Sequence, residues 1–139
     1  MIQEIVNAVV DDLTEDDAFE DYDVIAAFDQ GFSLEDSGGV VVVVSGSAEP
    51  LTADAGGNTL AWKLTITITA ATHQAEDKSG AVRDSLAAAA LTYLKSPTPT
   101  VTGYQIDAVV DRSQGGVETM GDEFLSVASS AALIVRESA

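Results

Sequence analysis

Carboxylates are the only chemically capable side chains that this chain supplies in quantity. Its 139 residues hold 23 Asp and Glu against 6 Lys and Arg, with one His and no Cys. The adjacent acids Asp11-Asp12 and Asp16-Asp17 offer the hard oxygen ligands that a divalent cation takes. The acidic stretch nevertheless lacks the glycine that a calcium-binding loop places at its sixth position, so a dedicated Ca²⁺ or Mg²⁺ site is not expected, nor is any other cofactor. His73 has no second His or Cys with which to build a metal site or a triad, and capping or plain exposure is its simpler role. The absence of cysteine removes disulfides, thiolate zinc sites and cysteine nucleophiles. Gly-Gly pairs at 38–39, 56–57 and 115–116 precede neither Lys-Ser/Thr nor a GxGxxG pattern, so no phosphate cradle is indicated. No nucleophile and base stand together, and the expectation is that the chain is not an enzyme.

The elements that would position these residues are legible in the hydrophobic pattern. Ile2, Ile5, Val6, Val9, Val10 and Leu13 recur at helical spacing, with Gln3, Glu4, Asn7, Asp11 and Asp12 on the other side, which predicts an amphipathic helix. The acidic stretch from Thr14 to Asp23, with Phe19 and Tyr22 interspersed, reads as a solvated helix exit or a short turn begun by Thr14 with Asp17 at capping-box spacing. Val24 to Phe28 is a short strand candidate. Val40 to Ser45, five valines and a serine after a Gly-Gly turn signal, predicts a strand covered on both faces and central in a sheet. Ser45 to Asn58 collects Gly, Pro, Ser, Asp and Asn and reads as a long loop between antiparallel strands.

From Thr59 to Ala71 the chain alternates Leu60, Trp62, Leu64, Ile66, Ile68 and Ala70 with Ala61, Lys63, Thr65, Thr67 and Thr69, the period of a half-buried strand. Trp62 is a core or interface anchor in that pattern. A helix is expected from near Gln74, with Glu76 and Asp77 in its first turn, to the stop at Lys95-Ser96-Pro97. Strands follow at Val101 to Asp111 and about Glu123 to Arg136, joined by a hairpin over Arg112 to Gly121 that contains Gly115-Gly116. The expected fold is α+β. It is a single small domain over residues 1–139, a mainly antiparallel or mixed sheet with two helices packed on it, in the order α-β-β-β-α-β-β.

Composition narrows the partners. A net charge of -17 repels phosphate backbones and anionic lipids, since nucleic-acid affinity comes from clustered Lys and Arg that release counterions. A hydrophobic fraction of 46% is too high for an acidic disordered chain and implies a folded core under an acidic coat. Solubility alone, adaptation to high salt, and a surface that must not hold nucleic acid are competing explanations of that coat. No basic leader opens the chain, and the apolar run Val40 to Val44 is far short of the roughly 20 residues of a spanning helix, so a soluble protein is expected.

Four stretches carry a family likeness: MIQEIVNAVVDDL, FSLEDSGGVVVVVSGSAEP, LAWKLTITITAATHQAEDKSGAVRDSLAAAALTYL and DAVVDRSQGGVETMGDEFLSVASSAALIVRE. In element order and hydrophobic pattern, over nearly the whole chain, the sequence resembles the tail terminator (tail completion or minor tail) proteins of long-tailed bacterial viruses. The resemblance implies a structural subunit that forms a hexameric ring on the last ring of tail-tube protein, halts tube growth and meets the head-side connector or stopper protein. It places the protein at the head-proximal end of the virion tail, assembled in the host cytoplasm, with DNA passing through the ring without specific binding. A neck or head-to-tail adaptor subunit of the same particle and a generic acidic α+β binding module are the alternatives. The residues expected to reach neighbours or tube are Glu49, Pro50, Leu51 and Asp54 in the long loop and Arg112, Gln114, Gly115 and Gly116 in the hairpin.

Overall fold

A computed structural model describes residues 1–27, 39–53, 56, 59–120 and 123–137. Helix α1 (Ile2–Glu15) is followed by one 3-10 turn (Asp17–Phe19), strands β1 (Asp23–Ala26), β2 (Val40–Ala53) and β3 (Thr59–His73), helix α2 (Ala81–Lys95), and strands β4 (Tyr104–Gln114), β5 (Glu118–Met120) and β6 (Phe124–Glu137). The strands form one six-stranded mixed sheet in the order β1-β2-β3-β6-β4, with β5 also paired to β6. The fold is α+β. The β1–β2 pairing is parallel and every other pairing is antiparallel.

Both helices lie on one face. The periodic side of α1 supplies Ile5, Val6, Val9 and Leu13, and α2 supplies Leu86, Ala90 and Leu94. They close over Val42 and Val44 of β2, Leu64, Ile66, Ile68 and Ala70 of β3, and Ala131, Leu133 and Val135 of β6. Helix α1 covers the β1–β2 side of the sheet, whereas α2 covers β3, β6 and β4. Gly46 lets α1 come down onto β2, because a Cβ there would stand 2.9 Å from Val6 Cγ2 and 3.2 Å from Ile2 Cγ2. That is closer than side-chain carbons pack in protein interiors.

The valine run is an inner strand as expected, but the helices cover only one of its two faces. Val42 and Val44 face the helices, whereas Val41 joins Ala71 and Phe124 in a smaller apolar cluster. Residues expected as a long loop after Ser45 instead continue β2 to Ala53, in register with β3 from Ser45↔Thr67 to Ala53↔Thr59. The partner strand overrides their low strand propensity. Pro50 is accommodated beside the register shift between Pro50 and Thr52, where a missing N–H costs little. Phe28, Gly38, Asp54, Asn58 and Gly121, which earlier boundaries included, lie outside the described residues.

The second helix starts seven residues later than its acids suggest. Gln74 to Gly80 form turns, and Asp77 acts from outside the helix. Its carboxylate accepts from the Val82 and Arg83 amides at 3.2 and 3.0 Å and from the Thr72 hydroxyl at 2.9 Å. Gly80, at φ +75, makes the left-handed turn that brings it there. In the acidic stretch, Asp16 rather than Thr14 caps the 3-10 turn, accepting from the Ala18 amide at 2.9 Å, while the Thr14 hydroxyl donates back to the Val10 carbonyl at 2.7 Å. Residues 112–120 are not the tip of a hairpin. β4 runs on to Gln114, and β5 resumes the same edge against β6, with the Gly115 amide bridging to the Ala128 carbonyl at 2.9 Å.

Candidate functional site

Strand alternation sorts the sheet into two surfaces. The face turned from the helices presents Val43, Ser45, Ser47 and Glu49 of β2, Lys63, Thr65, Thr67 and Thr69 of β3, and Ala128, Ser130 and Ile134 of β6. Most of these side chains are half-buried. Its centre is uncharged. Thr67 and Ser130 hydrogen-bond across β3 and β6 at 3.0 Å, and the charges stand toward one end, Lys63–Asp111 at 3.0 Å and Arg136–Asp107 at 3.0 Å. At the other end His73 accepts the Ala75 amide at Nδ1, which leaves Nε2–H to donate to Glu123 at 2.7 Å, and its ring meets Phe124 edge-on. Of the two roles expected of His73, capping or plain exposure, its contact with the Ala75 amide is of the capping kind.

The outer strand β4 owes its polar dress to two irregularities. Its register shifts between Ile106 and Ala108 and between Val110 and Ser113, and Asp111 takes φ +52, a left-handed conformation that Asp tolerates better than most residues. These breaks aim both Asp107 and Asp111 at the cations of β6 and β3. Arg112 turns the other way, and its Nη1 donates to the Lys95 carbonyl at the end of α2 at 3.1 Å. A bulged, charged edge of this kind resists pairing with a further strand.

The residues expected to make contacts fall into two groups that the fold keeps apart. Glu49 and Pro50 sit opposite Lys63 and Trp62 near the end where β2 leads into β3, and Leu51, at the bulge, is 48% exposed. Asp54 lies outside the described residues. Arg112, Gln114, Gly115 and Gly116 belong to the β4–β5 edge on the opposite side of the sheet. Gln114 folds inward, donating to the Ala87 carbonyl at 3.0 Å and to Ser129 Oγ at 2.9 Å, so it ties α2 to the sheet. Gly116 has open space around it, and Val117 beside it is 53% exposed.

Sequence reasoning missed a groove at the β2–β3 end, lined by Met1, Ile2, Ala48, Pro50 and Trp62 with Gln3 and Glu4. Trp62 packs edge-on against Tyr104 there, with ring centroids 6.3 Å apart. The even-numbered alternation that gave Trp62 its inward face was the available signal. Beneath the helices, Tyr93 donates to Asp12 at 2.7 Å, joining the C-terminal ends of α1 and α2. Burial first, then the Asp12 carboxylate, raises the Tyr93 pKa and keeps the phenol protonated. No group of three His, Cys, Asp or Glu side chains converges as a metal site among the described residues, and none of the described helices is long and apolar enough to cross a membrane.

No protein-family model matches the chain, and no curated protein matches it. A solved structure whose name states no function is similar to it, with a TM-score of 0.64 over 100% of this chain and 97% of the other, at 17% identity. At that identity the likeness shows the fold alone.

Proposed function

We propose that this chain is a structural virion protein that forms a hexameric ring on the head-proximal end of a tail tube, stops tube growth and joins the tail to a head-side connector. The observation that carries the reading is the pair of unlike sheet edges. Among the described residues β1 ends the sheet on one side and β4 on the other, and the two differ in sequence, length and charge. A head-to-tail contact between two unlike edges is the kind that generates rings when the rotation closes. The family resemblance supplies sixfold closure, tube and connector. The net charge of -17 per subunit suits a ring through which DNA passes without being held.

Electron microscopy of particles made with and without this protein tests the reading. Its loss is expected to give tails of excessive length that fail to join heads, and its presence a sixfold ring at the head end of the tube. Normal-length tails that lack heads would instead identify a neck adaptor. A single copy, or a threefold or twelvefold ring, would overturn the hexamer.

A further inference from the structure

Charge in this molecule is polarised across the sheet. Residues 1–62 contain 14 of the 23 acids and no Lys or Arg, so all six cations fall in residues 63–136. On the α1–β1 side, Asp17, Glu20, Asp21 and Asp23 are exposed. On the opposite side the acids of β4 are already answered, Asp107 by Arg136 and Asp111 by Lys63. Beside them stand Lys95 and Arg112, both exposed and neither with a carboxylate partner among the described residues. The Arg112 guanidinium is fixed against the end of α2 by the Lys95 carbonyl, so the two positive groups share one corner. Sheet order sets Asp23, on β1, and Arg112, on β4, at opposite ends of the sheet.

We propose that copies of this chain associate side to side, the Glu20, Asp21 and Asp23 edge of one copy meeting the Lys95 and Arg112 corner of the next. The occupant of each edge is a second copy because the chain carries both complementary surfaces, facing apart, so each subunit satisfies one neighbour on either hand. The contact is between side chains rather than by strand addition, since the bulges at Asp107 and Asp111 spoil β4 as a template. Identical interfaces repeated with one rotation close into a ring. This inference rests on the ring reading and names the surfaces that would build it.

Charge exchange tests it in a way that net charge cannot imitate. One variant carries Lys95→Glu with Arg112→Glu, and a second carries Asp21→Lys with Asp23→Lys. Each alone is expected to lose self-association by at least about tenfold in sedimentation equilibrium, and an equimolar mixture is expected to recover it, because each exchanged edge then finds its complement on the other variant. All four positions are exposed, so the second variant is expected to melt with the parent, and the first somewhat below it because it puts two acids at the C-terminal end of α2. Should the first variant melt far below the parent, Lys95→Glu alone, which leaves the Arg112 contact with the Lys95 carbonyl in place, carries the same test. A mixture that stays dissociated overturns the proposal. So does a second variant that associates better than the parent, which would mean that net repulsion alone governs. A parent chain that stays monomeric up to about millimolar concentration also overturns this contact, and leaves the tail-end reading to be decided separately by tail length.

Discussion

Helix α1 and helix α2 rest on the same sheet face and are nearly equal in length, yet they are held by opposite means. α1 has no side-chain cap at its start and no cation in its last turn, where Asp12 and Glu15 oppose the helix dipole. Its hold comes from packing, through Ile5, Val6, Val9 and Leu13, with the Tyr93 hydroxyl answering Asp12. α2 offers much less apolar surface, since Ala87, Ala88, Ala89 and Ala90 fill its middle. It is secured at its ends instead, by the Asp77 carboxylate at the first amides and by Lys95 in the last turn. The contrast teaches that the acidic half of this chain depends on shape and the mixed half on placed polar groups. Mutations should therefore hurt the two halves for different reasons.

The largest expected effect tests whether the halves are one unit at all. Leu86 is 2% exposed in the core cluster that both helices share. Leu86→Asp buries an unpaired carboxylate at a cost of several kcal/mol, a large part of the roughly 5 to 15 that a domain has. The expected outcome is loss of the folded state throughout. Hydrogen exchange would report it, and protection surviving in α1 and β2 would mean that the halves fold separately.

Gly46 probes the half held by shape. Gly46→Ala drives a methyl group against Val6 and Ile2, and overpacking of this kind costs typically about 1–3 kcal/mol. Gly116→Ala, on the β4–β5 edge with nothing within 4 Å, is the control and is expected to change stability by less than about 0.5 kcal/mol. Equal denaturation midpoints for the two variants would remove the close approach of α1 from the account.

Asp77 probes the half held by placed groups. Burial disfavours its charge, but the amides of Arg83 and Val82, the Thr72 hydroxyl and the Arg83 guanidinium outweigh that and keep its pKa below the ordinary carboxylate value. A carboxylate depressed on folding contributes stability that is present above its unfolded pKa and lost as pH falls through its folded value. Asp77→Ala is expected to cost about 1–2 kcal/mol near neutrality, and the deficit relative to the parent should shrink as pH drops below about 4. A deficit that stays constant to pH 2 would mean that the charge is not what secures α2.

These same groups explain what the sequence made visible. The apolar periods of α1 and β3 needed only local spacing, and they were legible to within two residues at each end. The start of α2 was not, because Glu76 and Asp77 look like first-turn acids when the chain is read linearly. Only Gly80 at a left-handed φ, which sequence shows as an unremarked glycine, turns the backbone so that Asp77 caps from outside. The second half of β2 was hidden because Ser45 to Ala53 are strand-forming only through their register with β3, and Gly46 is there for α1 rather than for a turn. Of the residues expected to reach neighbours, Leu51 lies exposed at the bulge of β2. The inward fold of Gln114 onto Ala87 and Ser129 depends on a helix 27 residues away and left no local trace.

The smallest expected effect falls where the two halves meet on the open sheet face. Glu49 stands opposite Lys63 across β2 and β3, and Lys63 already pairs with Asp111 at 3.0 Å. The Asp111 carboxylate, first by hydrogen bond and then by charge, with a lesser contribution from Glu49, holds the Lys63 pKa above its ordinary value. Glu49→Lys sets two ammonium groups opposite each other, which destabilises a sheet by a few tenths of a kcal/mol up to about 1. It also relieves a chain whose net charge is -17, and long-range repulsion of that kind is screened over about 8 Å at physiological salt. The two effects oppose, so the variant is expected to melt within about 2–4 °C of the parent at that ionic strength, the shift that about 1 kcal/mol makes in a domain of this size. Lowering the salt should move the balance toward the variant, because the relieved repulsion then reaches farther while the local clash hardly changes. A variant that loses more stability as salt is removed would show that Glu49 serves Lys63 locally, and would join the two halves by a charge pair that the present contrast assigns to Asp111 alone.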